Sequence, residues 1–192
     1  MIRSICSSLG GLVALGLAFV APMPVSAQEA TTPVPAIYTT PFEKADGTPA
    51  TLESYAGKVL LIVNTASRCG FTGQYSELEA IHREYAEHGL VVVAFPSNDF
   101  GGQEPGTNEE IQEFCRTRFK VTFPVMGKMV VKGDEKSPLY ELLTGETSPF
   151  PGEIGWNFVK FVVDRQGNIV GRFSSRTSPT GPEIRAAIES AL

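Results

Sequence analysis

The stretch VLLIVNTASRCGFTGQY, Val59 to Tyr75, decides the fold. Its first part is an unbroken apolar run, which predicts a central strand covered on both faces; its second part breaks into small and polar residues around Cys69. Tyr75, Leu78, Ile81 and Tyr85 then recur at three- and four-residue steps among Glu77, Glu79, Arg83 and Glu84, so a helix is predicted over Tyr75 to His88 with one face inward. Gly89 suits the left-handed residue that follows a helix end. Cys69 therefore lies between a strand and a helix start, where backbone N–H groups and the positive end of the helix dipole favour a thiolate and hence a nucleophile. The competing reading is structural, because a free cysteine is among the most buried residue types and packs as a small hydrophobe.

Working outward, Leu90 to Phe95 (LVVVAF) is a second continuous apolar strand. Strand, helix and strand of this kind imply a parallel pair with a right-handed crossover. Pro96 to Gly106 (PSNDFGGQEPG), with three glycines and two prolines, has to be a loop at the C-terminal edge of those strands, the usual location of α/β active sites. Gln103 would share that edge with Cys69. Thr107 and Glu110 match a capping box, and Ile111, Phe114, Cys115 and Phe119 fall on one face of the helix it opens, which makes Cys115 a core position first. A short helix at Pro138 to Leu143 precedes a Pro/Gly-rich loop.

The C-terminal part reads as ββα: Phe158 to Asp164, a turn at Arg165–Asn168, Ile169 to Phe173, then a helix within Gly181 to Leu192. A βαβ unit joined to a ββα unit predicts an α/β thioredoxin-like fold, a mixed central sheet with helices on both faces. Its third strand runs antiparallel to the first two, so Trp156 and Asn157, just before that strand, are expected at the rim that holds Cys69 and Gln103. An N-terminal β-hairpin extension is predicted from Tyr38–Ala45 and Thr48–Leu52 around Asp46-Gly47, a dipeptide suited to a type I′ turn.

The chain before the hairpin has a different character. Arg3, the apolar core Leu9–Val20 and the small-residue site Val25-Ser26-Ala27 form a secretory signal pattern, with residues 1–27 expected to be cleaved; the core is too short for a spanning helix, and Pro22 and Pro24 interrupt it. Residues 28–36 read as a flexible tether and residues 37–192 as a single domain. A periplasmic or secreted location follows, with no stable membrane insertion of the mature protein. Net charge −5 and pI near 5.1 argue against a nucleic-acid partner. Cleavage removes Cys6 and leaves only Cys69 and Cys115, too few for a disulfide scaffold and without CxxC or zinc spacing. His88 reads as a helix-end residue and His82 as a partly buried, hydrogen-bonded one; neither is assigned a catalytic role. No metal or other cofactor is implied, and no heptad or repeat speaks to oligomeric state.

Cysteine, glutamine, tryptophan and asparagine contain no strong general base, which poorly serves proteolysis or amide chemistry. They suit a thiolate that attacks an O–O bond, with amide and indole N–H donors for the charge that develops on oxygen and a sulfenic acid as the product on sulfur. NTASRCGFTGQY (Asn64–Tyr75), FPSNDFGGQEPG (Phe95–Gly106) and WNFVKF (Trp156–Phe161) resemble the three signature blocks of the glutathione peroxidase family, and the likeness runs from about Ile37 to the C-terminus. The resemblance implies a thioredoxin-like fold, Cys69 as the peroxidatic residue, and Gln103, Trp156 and Asn157 as its catalytic partners. It also implies a peroxide substrate and a thiol co-substrate such as glutathione or thioredoxin. Cysteine-type members of that family that are reduced by thioredoxin typically carry a resolving cysteine in the FPxN block; Ser97 stands there in this chain, and its hydroxyl cannot form a disulfide. An external thiol is therefore the expected reductant, with Cys115, released from its helix by local unfolding, as the other route. Two rival readings of the same fold are a thiol-disulfide oxidoreductase or redox relay, and a binding module without catalysis.

Overall fold

The computed structural model describes residues 34–192; the signal segment and residues 28–33 of the tether lie outside the described residues. Ala36, placed in the tether by the sequence reading, already belongs to a helical turn.

That turn, α1 (Ala36–Thr39), corrects the start of the predicted hairpin. Thr40 Oγ1 bonds back to the Ala36 carbonyl at 2.7 Å, and Tyr38 is buried beneath the domain with its hydroxyl 3.3 Å from the Asp164 carbonyl. Burial and hydrogen bonding of Tyr38 against the turn at Asp164–Arg165 override its strand propensity. The hairpin shrinks to β1 (Phe42–Glu43) and β2 (Pro49–Ala50). Its loop is not type I′: the Gly47 N–H bonds the Lys44 carbonyl at 2.9 Å, and only Gly47 (φ 78°) is left-handed. This is a type I turn followed by a glycine bulge, with Asp46 accepting from the Thr48 N–H and hydroxyl.

The main sheet has the order β4-β3-β5-β6, built from β3 (Val59–Thr65), β4 (Leu90–Pro96), β5 (Lys160–Val163) and β6 (Ile169–Phe173). β3 and β4 are parallel, in register from Val59 opposite Leu90 to Thr65 opposite Pro96. β5 lies antiparallel to β3, and β6 antiparallel to β5. Every residue of β3 is buried, as its continuous apolar run requires. β5 is shorter than predicted, because Phe158 takes φ 63° and cannot continue a strand.

Alternation along the strands sends side chains to two cores. Leu61, Val63, Val92 and Val162 face α2 (Gln74–Tyr85), α3 (Asn108–Phe119) and α5 (Pro182–Ala191), where Tyr75, Leu78, Ile81, Ile111, Cys115, Ile184 and Ile188 close the layer. Leu60, Ile62, Val93, Phe95 and Phe161 face α1 and α4 (Pro138–Thr144) through Tyr38, Leu139, Tyr140 and Leu143. Each fully buried aliphatic side chain contributes roughly 1.5–3 kcal/mol, so these two layers, more than any cap, hold the rim in place. The Thr107–Glu110 capping box forms as predicted, and Gly89 (φ 102°) closes the 3-10 turn that extends α2. Among the described residues no helix is long and apolar enough to cross a membrane.

Candidate active site

Three segments meet at the rim formed by the C-terminal ends of β3 and β4 and the N-terminal end of β5. The first carries Cys69. Between β3 and α2 the chain makes successive tight turns, with N–H to carbonyl bonds from Thr72 to Cys69, Gln74 to Phe71, Tyr75 to Thr72 and Ser76 to Gly73. Cys69 thus stands at the mouth of a helical spiral that tightens before α2 begins, rather than on the first turn of α2. The Phe71 N–H points at Sγ across 3.4 Å, and Cys69 as a whole is 9% exposed. Thr72 braces this turn: its hydroxyl accepts from the Cys69 N–H at 2.9 Å and lies 2.8–2.9 Å from the carbonyls of Cys69 and Ala66.

The second segment carries Gln103. Its carbonyl accepts the Arg68 N–H at 3.0 Å, which ties the loop after β4 to the residue before Cys69. Gly101 (φ 64°) sits between the Gln103 and Trp156 side chains; a Cβ built on it would stand 3.8 Å from Gln103 Cγ and 4.0 Å from the Trp156 ring. A β-carbon there would meet only ordinary contacts but would be strained by the left-handed backbone.

The third segment carries Trp156 and Asn157. Trp156 is 39% exposed, with its ring centroid 5.7 Å from that of Phe100. Asn157 is fully buried, and its Nδ2 donates to Gln103 Oε1 at 3.1 Å, leaving the Gln103 NH₂ free to act as a donor. The Arg68–Gln103 and Asn157–Gln103 bonds join the three segments as a hydrogen-bonded frame. Within it, Asn157 orients Gln103 instead of lying open to the surface. Among the described residues, the hydrogen bond recorded on Sγ is that from the Phe71 N–H.

The sequence reading did not single out Asn64, which assembles the third segment. Its Nδ2 donates to the Trp156 carbonyl at 3.1 Å, its Oδ1 accepts the Val159 N–H at 3.0 Å, and its carbonyl accepts the Phe158 N–H at 2.6 Å. That clamp, with Phe158 buried edge-on to Tyr75 at 5.6 Å, holds Phe158 in a left-handed conformation that costs on the order of 1–3 kcal/mol. An amide inside an otherwise apolar central strand was the available signal.

The electrostatics around the rim follow from burial. Desolvation pushes the Cys115 thiol up to about 11. Lys160, also buried, is drawn down to about 8 by desolvation while its Nζ donates to the carbonyl of Thr177 at 2.7 Å and those of Ser174 and Ser175 at 3.4 Å. His82 behaves as predicted: half-buried, held below its usual range by desolvation, and accepting the Val92 N–H on Nδ1. Among the described residues no group of three His, Cys, Asp or Glu could hold a metal ion. A groove of about 360 Å³ opens beside Trp156, lined by Phe71, Gly155, Val159, Ser175 and Arg176.

The comparisons with known proteins agree with this geometry. The family model for glutathione peroxidase matches residues 37–144. The chain is 49% identical over 154 residues to the hydroperoxy fatty acid reductase gpx1 of a Synechocystis strain, covering 77% of this chain and 90% of that protein. It is 48% identical over 153 residues to a probable phospholipid hydroperoxide glutathione peroxidase of Helianthus annuus, covering 79% and 85% respectively. Among solved structures, the apo form of Trgpx superposes with a TM-score of 0.65 at 36% identity, over 81% of this chain and 94% of that one. The thioredoxin-like core, the three rim segments and these likenesses together establish that the chain belongs to the glutathione peroxidase family, thiol-dependent reductases of peroxides.

Proposed function

We propose that Cys69 reduces lipid hydroperoxides as well as hydrogen peroxide, with Gln103 and Trp156 as its hydrogen-bonding partners and Asn157 as the residue that aims Gln103. The Cys69 thiolate attacks the terminal peroxide oxygen. The S–O bond forms as the O–O bond breaks, sulfur is oxidised to a sulfenic acid, and the departing alkoxide or hydroxide takes up a proton. N–H donors from Gln103 and Trp156 meet the charge that develops on the leaving oxygen. A thiol then attacks the sulfenic sulfur, releasing water and leaving a mixed disulfide, and a second thiol frees Cys69 as the disulfide of the reductant departs.

The observation that carries this reading is the frame itself: Arg68 N–H to Gln103 carbonyl, and Asn157 amide to Gln103 Oε1, bind the three segments into one rigid edge. The groove beside Trp156 presents Phe71, Trp156 and Val159 to an acyl chain and Arg176 to its carboxylate, in keeping with the fatty acid hydroperoxide named for the Synechocystis relative. Peroxide consumption by wild type and Cys69→Ser, with glutathione or thioredoxin as donor, tests the assignment. The variant is expected to be inactive with both donors; equal slow consumption by the two proteins would end it.

The external thiol is the first choice of reductant, because Cys115 is 2% exposed and its thiol is held up to about 11, a poor nucleophile in the folded chain. A second reading has its own observation. Cys69 and Cys115 line the same apolar cluster, so opening α3 would release Cys115 near the rim. We further propose export of the mature chain to the periplasm or cell exterior through removal of residues 1–27; an intact mass of exported protein that begins at Gln28 tests this.

A further inference from the structure

The side chain of Glu104 follows Gln103 in sequence and is fully buried, yet nothing in the reaction above employs it. Its Oε1 accepts from the Ser67 hydroxyl, two residues before Cys69. Its N–H donates to Asn98 Oδ1 at 2.9 Å. The neighbouring carbonyl of Gln103 takes the Arg68 N–H at 3.0 Å, so the Gln103–Glu104 segment is fastened to the Cys69 turn by a backbone bond and a side-chain bond side by side. The other carboxyl oxygen, Oε2, is buried without a hydrogen-bond partner, as are Thr65 Oγ1 and the Tyr75 hydroxyl.

We propose that Glu104 is a positioning residue that, as a neutral acid, locks Gln103 against the Cys69 turn. The inference rests on Cys69 being the reacting thiol. The groups around the carboxyl are Ser67 and Arg68 of the Cys69 turn, Tyr75 of α2, Cys115 of α3 and Lys128 of the segment after α3. Only Arg68 and Lys128 are cationic. Lys128 Nζ spends its hydrogen bonds on the carbonyls of Glu104 and Gly106, and neither cation forms an ion pair with the carboxyl among the described residues. A carboxylate there would be a buried charge with an unmet oxygen, whereas a neutral acid keeps the Ser67 bond and adds an O–H donor. Desolvation correspondingly raises the Glu104 carboxyl above its ordinary range, against the weaker pull of Ser67, Lys128 and Arg68.

The test compares Glu104→Gln, Glu104→Ala and Ser67→Ala with the wild type. The rate of Cys69 oxidation by hydrogen peroxide is followed through the fluorescence of Trp156, the only tryptophan, and the pH profile of Cys69 alkylation by site-resolved mass spectrometry. Glutamine reproduces the shape and neutrality of the protonated acid, so Glu104→Gln is expected within about threefold of wild type with an unshifted alkylation profile. Glu104→Ala is expected to react roughly thirtyfold more slowly, because misplacing a partner by about an ångström costs up to ~100-fold. Ser67→Ala, which spares the carboxyl and guards against a Glu104→Ala that fails to fold, is expected to be about tenfold slower. A Glu104→Gln as slow as Glu104→Ala would show that the charge is needed and overturn the neutral acid. Wild-type rates in Glu104→Ala or in Ser67→Ala, even with lowered melting temperatures, would overturn the positioning role. Failure of the underlying reading is seen separately, as peroxide consumption that survives Cys69→Ser.

Discussion

The Asn157 side-chain amide donates to Gln103 Oε1 across 3.1 Å, joining residues 54 positions apart at the edge that carries Cys69. With one amide hydrogen engaged there, the Gln103 oxygen is occupied and its NH₂ is left as the outward donor. Asn157→Ala frees the Gln103 amide to rotate. The expected result is a loss of about 10- to 100-fold in the rate of Cys69 oxidation, measured by stopped flow, with little change in melting temperature beyond the buried hydrogen bond. An unchanged rate would mean that the orientation of Gln103 does not matter to the reaction.

Asn64 offers a test of the scaffold under the same segment. Asn64→Ala strips a partner from the Trp156 carbonyl and another from the Val159 N–H, in a position with no exposure to water. Two buried backbone groups left unpaired cost roughly 2–6 kcal/mol together. Urea unfolding should register that loss, and peroxide turnover should fall with it, because Phe158 is no longer forced into its left-handed conformation. A variant as stable as wild type would show that the clamp is dispensable.

Lys160 makes stability depend on alkaline pH. Its ammonium is charged in both folded and unfolded chains below about 8, the value to which burial draws it. Between there and the ~10.4 of an unfolded lysine, the unfolded chain holds a proton that the folded chain has released, so stability rises with pH across this window. The gain from this group is on the order of 3 kcal/mol at most. Lys160→Met should lack the rise, as judged by the difference in urea midpoints between pH 7.5 and pH 10; equal slopes in the two proteins would refute the linkage.

The cap of α3 controls access to Cys115. Thr107 Oγ1 accepts the Glu110 N–H while Glu110 Oε2 accepts the Thr107 N–H, closing the first turn of the helix that buries the second thiol. Any Cys69–Cys115 disulfide has to wait for this helix to open. Thr107→Ala removes about 1 kcal/mol from the cap, and should speed disulfide formation after peroxide treatment by about fivefold without a matching change in the oxidation of Cys69. Non-reducing mass spectrometry over a time course reads both steps. An unaltered disulfide rate would show that opening occurs elsewhere in α3.

Much of this was written in local pattern. The apolar run of β3, the periodicity of α2, the Thr107–Glu110 cap and the burial of Cys115 each depend on residues within a few positions of one another, so spacing alone reports them. The position of Cys69 between strand and helix follows from the same kind of evidence, and the antiparallel third strand was enough to bring Trp156 and Asn157 to the rim. Local pattern failed where tertiary contacts outweighed it. Tyr38 forms a helical turn because its ring is buried against the β5–β6 turn, and the strand predicted from Phe158 begins only at Lys160 because Asn64 holds Phe158 at φ 63°.

Burial periodicity, a property of neighbours along the chain, was enough to place the elements and the edge on which Cys69, Gln103, Trp156 and Asn157 lie. How the side chains on that edge are held came from long-range contacts alone: the Asn157–Gln103 bond, the Asn64 clamp and the burial of Glu104 beside Ser67. These contacts join residues 37 to 95 positions apart. They exist only once the sheet has closed and excluded water, which is also what makes each of them costly to lose.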